Sequence, residues 1–85
     1  MLKKNLDFNE LIDNSNKTRA LIKKGFSAYS NKQYREAVKY YDKALEIEPT
    51  NILALSDNCS SLKKLGRYED AKDCHELMKK AYDPF

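Results

Sequence analysis

Glycine and proline are scarce here, two of each in 85 residues. A loop-rich or all-β chain would need more of both for its turns. Histidine occurs once, at His75, and there is no Cys-x-x-Cys pair. A metal centre therefore lacks ligands, and neither metal nor cofactor is expected. No run approaches the roughly 18 apolar residues of a membrane-spanning helix. Lys3 and Lys4 are not followed by an apolar block, so no secretory signal is read at the N-terminus. No Gly-rich phosphate loop and no catalytic constellation is found, so the expectation is a non-enzymatic protein. Cysteine occurs twice, as Cys59 and Cys74, at packed or half-packed helical positions. Free buried thiols in a reduced, cytoplasmic setting are the expectation, with a disulfide or redox pair as the alternative.

What is abundant is charge: 34% of residues are charged against 41% apolar, a balance that suits amphipathic helices. A chain of this length is one domain at most, and buries only about 60–65% of its unfolded surface. The net charge of +3 is too mild to mark a nucleic-acid binder. Its distribution is uneven. Lys17, Arg19, Lys23, Lys24, Lys32, Arg35, Lys39 and Lys43 face only Glu36 and Asp42 between residues 17 and 43, whereas residues 44–85 are acidic overall. Solvated helix faces account for this most simply; opposite-sign ends would also favour head-to-tail association or steer a partner.

The most informative stretch is YREAVKYYDKALEIEP, residues 34–49. Tyr34, Ala37, Val38, Tyr41, Ala44 and Leu45 recur at helical spacing, predicting a helix over about 34–47 that Pro49 stops. Upstream, a helix over about 17–30 would turn Ala20, Leu21, Gly25 and Ala28 inward. Gly25 costs about 1 kcal/mol relative to alanine there, which close approach of a partner helix explains. Asn14-Ser15-Asn16 is expected to separate it from one or two turns at about 8–13 carrying Phe8, Leu11 and Ile12. Downstream, helices are expected over about 52–65 and 68–81, with Gly66 as a left-handed cap and Asp83-Pro84 as the stop. Leu21/Leu55, Ala20/Ala54, Tyr34/Tyr68, Glu36/Asp70, Ala37/Ala71 and Asp42/Glu76 are each 34 residues apart, the period of a helix–turn–helix solenoid unit.

On these residues the chain resembles the tetratricopeptide repeat (TPR) family. Leu21, Gly25, Tyr34, Ala37, Tyr41, Ala44 and Pro49 match the pattern in a first repeat at 18–51, with Lys24 and Ala28 departing from it. Leu55, Leu62, Tyr68 and Ala71 match in a second at 52–85, where Cys59, His75 and Met78 depart. Residues 1–17 lie outside the match. The resemblance implies an all-α solenoid of two antiparallel helix pairs with a short N-terminal helical segment. It also makes His75 a partly buried packing residue. Solenoids of this kind usually need about three repeats to be stable alone, so the ends want a cover.

In TPR proteins the first helices of the pairs line a concave peptide groove. By the resemblance, Arg19, Ile22, Phe26, Tyr29 and Ser30 contribute from the first repeat, and Leu53, Ser56, Asp57, Ser60, Lys63 and Lys64 from the second. Ile22, Phe26 and Tyr29 form an apolar stripe expected to anchor a partner, with Arg19, Ser56, Ser60, Lys63 and Lys64 as polar neighbours. The expected occupant is a protein or peptide. The alternatives are a second copy, giving a homodimer, or the chain's own Phe8–Leu11–Ile12 segment. Nucleic acid is not expected, because the basic residues are scattered around two helices. Some TPR proteins clamp the C-terminal carboxylates of heat-shock chaperones with Lys, Asn and Arg. The matching positions hold Ile22, Phe26 and Asp57, and Asp57 would repel a carboxylate.

Overall fold

The computed structural model describes residues 8–82. Four helices follow one another: α1 (Phe8–Ser30), α2 (Tyr34–Ile47), α3 (Ile52–Lys64) and α4 (Tyr68–Tyr82). α1 packs on α2, α2 on α3 and α3 on α4, with a lighter contact between α1 and α3. This is the solenoid of helical hairpins that the 34-residue period predicts.

The two hairpin turns are copies of each other. The Gln33 N–H donates to the Ala28 carbonyl at 2.8 Å, and the Arg67 N–H donates to the Leu62 carbonyl at 2.9 Å. Each bond spans a residue in the left-handed region, Lys32 at φ 62° and Gly66 at φ 77°. Both are the helix-ending motif that satisfies otherwise orphaned carbonyls. Between the hairpins, α2 stops two residues before Pro49. Asn51 then caps α3, its Oδ1 accepting from the Ala54 N–H at 3.0 Å.

Alanines let the helices come close. Ile22, Ala28, Ala37, Tyr41, Ala44 and Ala54 form one buried cluster across α1, α2 and α3. Val38, Leu55, Cys59, Leu62, Ala71 and Cys74 form a second, and Leu45 packs against both. A hydrogen bond from Asn58 Nδ2 to Asp42 Oδ1, at 3.0 Å, ties α3 to α2.

Four expectations need correction. Residues 8–13 are helical but are the first turns of α1, not a separate segment; α1 runs through Asn14-Ser15-Asn16, where Asp13 and Lys17 pair at 3.2 Å across one turn. Ala20 is exposed, and Thr18 and Ile22 take the inward positions instead, with Leu21 at the margin. Cys59 and Cys74 are joined as a disulfide between α3 and α4, with Cα atoms 5.5 Å apart. Cys59 stands 34 residues after Gly25, so the position that is glycine in the first hairpin carries a bridged cysteine in the second. His75 is exposed. Its counterpart Tyr41 is covered by α3, whereas no described helix follows α4. The Asp83-Pro84 stop and residues 1–7 lie outside the described residues.

Candidate functional site

α1 and α3 are the first helices of the two hairpins, and a cavity of about 120 Å³ opens between them. Phe26 and Tyr29 line it from α1, Asp57 and Ser60 from α3, and Tyr41 of α2 from behind. Phe26 is 61% exposed, one of the large hydrophobic side chains left open on the surface. Its neighbour Tyr29 is half-buried and held edge-on by Tyr34, ring centroids 5.2 Å apart. One wall is therefore free and the other fixed.

The polar groups of this cavity are unusual too. Tyr41 is fully buried, yet its hydroxyl has no hydrogen-bond partner among the described residues. Burial, then the neighbouring Asp57, then Tyr29 push its pKa up to about 12, so the phenol stays protonated. Asp57 is half-buried, and burial holds its carboxyl above the usual range. Leaving such a group without a counter-charge is costly. The pair sits where the two hairpins meet.

The expected site residues divide. Phe26, Tyr29 and Ser60 come together around the cavity. Ile22 does not join them. At 8% exposure it packs in the core against Ala44 and Ala54, and this is a correction: α3 covers the position that the stripe needed open. Ser56 lines a different cavity, with Ile52, Met78, Lys79 and Tyr82. Lys63 lies in a shallow depression beside Tyr68 and His75. Arg19 and Lys64 are exposed, and neither lines a cavity described here. Tyr41 also lines the cavity, although its spacing marks it only as core, which it also is. The signal was present in its hydroxyl, which a purely packing role does not require.

The Phe8–Leu11–Ile12 segment does not occupy the groove. It belongs to the same helix as Phe26, about 21–27 Å away along the axis toward its far end. All three side chains are exposed. Among the described residues no helix is long and apolar enough to cross a membrane.

Comparison with known proteins agrees with the architecture. The tetratricopeptide repeat profile matches residues 18–51. The chain is 37% identical over 59 residues to Protein STIP1 homolog of Dictyostelium discoideum, a match covering 69% of this chain and 10% of that protein. It is 32% identical over 57 residues to Hsp70-Hsp90 organizing protein 1 of Glycine max, covering 66% and 10%. The chain thus matches about a tenth of the length of these two relatives. An uncharacterized protein of Methanocaldococcus jannaschii is 32% identical over 62 residues, covering 73% of this chain and 72% of its own. No solved structure matches significantly. With the repeat profile, the 34-residue period and the paired helices in agreement, the chain belongs to the tetratricopeptide repeat family.

Proposed function

We propose that this chain is a non-enzymatic protein-interaction module, an adaptor or scaffold of co-chaperone-like type, that binds a segment of a partner protein in the groove between α1 and α3. The observation that carries the reading is the exposed Phe26 beside the fixed Tyr29, over a cavity with polar groups at its back. An exposed ring next to an anchored one is a ready apolar contact, and burying it contributes about 2 kcal/mol by area. Ser60 supplies a hydroxyl on the opposite wall. Arg19, Lys63 and Lys64 act as polar surroundings rather than anchors. A cytoplasmic setting is part of the same reading.

The test is partner capture by the wild-type chain and by Phe26→Ala with Tyr29→Ala, with helicity followed by circular dichroism. Proteins retained by the wild type are lost from the double variant while helicity stays near normal. Undiminished capture sinks the groove. A second reading, self-association, draws on the cavity of Ile52, Ser56, Met78, Lys79 and Tyr82. Shifted back 34 residues, Ile52, Ser56 and Met78 become Thr18, Ile22 and Ala44, all buried in the first hairpin. Sedimentation at micromolar concentration tests it, and a clean monomer excludes it.

A further inference from the structure

We infer that the cavity between α1 and α3 is a seat for one cationic side chain of the bound segment, a lysine or an arginine, with Asp57 as its counter-charge. The inference rests on the groove reading and specifies what enters the groove.

Three observations carry it. First, the Asp57 carboxylate lines the cavity with no hydrogen bond or ion pair from any described residue, although it is half-buried. Some surface carboxylates on this protein do find partners: Asp13 pairs with Lys17, Glu36 with Lys39 and Asp70 with Arg67. Second, Tyr41 lines the same cavity, and its hydroxyl is buried and unpartnered among the described residues. A buried polar group left unmatched in the free protein is one that a ligand's polar atom can satisfy. An ammonium or guanidinium head donates several hydrogen bonds, enough for both a carboxylate and a phenolic oxygen. Third, Phe26 and Tyr29 wall the space with aromatic rings, whose faces attract cations. A carboxylate ligand meets the reverse: Asp57 repels it, and no described cationic side chain lines the cavity. A wholly apolar side chain leaves both polar groups buried and unmatched. Burial that holds the Asp57 carboxyl above its ordinary range is relieved when a cation arrives. The volume of about 120 Å³ suits one side-chain head.

The test uses the full chain, isotope-labelled for NMR, and three probes: the Nα-acetyl methylamides of lysine, norleucine and glutamate. The lysine probe shifts Phe26, Tyr29 and Ser60 saturably, with a Kd about tenfold below that of norleucine, and glutamate is weakest. Asp57→Asn keeps the fold, since the side chain makes no internal bond, and brings lysine and norleucine within about twofold of each other. Equal binding of lysine and norleucine at these residues, or a lysine preference that survives Asp57→Asn, overturns the cation seat while leaving the groove intact. Absence of any shift with all three probes also overturns the seat. The groove reading fails separately, by undiminished partner capture in the Phe26 and Tyr29 variants.

Discussion

The ring of Tyr41 fills the space that a side chain at Gly25 would need. A Cβ built on Gly25 stands 2.6 Å from Tyr41 Cε1 and 2.8 Å from Cζ, closer than carbon atoms tolerate. Tyr41 is fully buried, so making room for a Cβ means displacing a packed ring. Helix propensity alone favours alanine at Gly25 by about 1 kcal/mol. Overpacking wins, and Gly25→Ala destabilises by about 1–3 kcal/mol. Urea denaturation measures it. In a Tyr41→Leu background the same change costs less, because the two residues share one space. Additive losses would show that the contact is not the cause.

Lys32 and Gly66 occupy equivalent turns with the same positive φ. The strain falls only on the lysine, whose Cβ meets the following carbonyl in this conformation. Lys32→Gly is expected to raise stability by about 0.5–1 kcal/mol, and Gly66→Ala to lower it by about 1 kcal/mol. Thermal melts of the two variants move in opposite directions if the turns are copies.

The hairpin architecture was legible because helix period and repeat period agree. Residues 34–47 are α2 as the spacing predicts, and Ala37, Tyr41 and Ala44 are fully buried. What escaped the sequence reading is where tertiary contacts decide. Asn14-Ser15-Asn16 favours local turns, but a long helix with an Asp13–Lys17 pair continues through it. Ile22 and Leu21 are adjacent on α1, and only the placement of α3 makes Ile22 core. Two cysteines 15 residues apart pair because α3 and α4 are antiparallel and closely packed, which the bare spacing left open. His75 stands at an aromatic's position, yet the helix that would bury it is not among those described. In the site, Phe26, Tyr29 and Ser60 were readable as one face. Tyr41 was not, because helical spacing marks a residue as core without showing that it also borders a cavity.

Asp57 weakens the free fold at neutral pH. Its carboxyl is raised by burial, so between the ordinary carboxylate pKa of 3.8 and its folded value the native chain holds more proton than the unfolded one. Stability therefore falls as pH rises through that window and stays lower above it. Asp57→Asn removes this penalty. The variant melts higher than wild type at pH 7, and the gap narrows as pH falls below the ordinary carboxylate range. A constant gap at all pH values would contradict the assignment.

The Cys59–Cys74 bridge closes a loop of 15 residues in the second hairpin. Chain-entropy reasoning gives about 3 kcal/mol for such a loop. Reduction with a phosphine is expected to lower the denaturation midpoint accordingly. The effect concentrates in α3 and α4, as hydrogen exchange resolves. Identical melts with and without reductant would show that the bridge does not stabilise the fold.

The central claim is that partners enter between α1 and α3. A photoreactive benzoylphenylalanine placed at Ser60, inside the groove, is compared with one at Tyr82, in the separate cavity that Ile52, Ser56 and Met78 also line. The expected result is a partner cross-link from position 60 that disappears when Phe26 and Tyr29 are changed to alanine, and none from position 82. Cross-linking from position 82 alone, or a product at 60 indifferent to Phe26 and Tyr29, would contradict it.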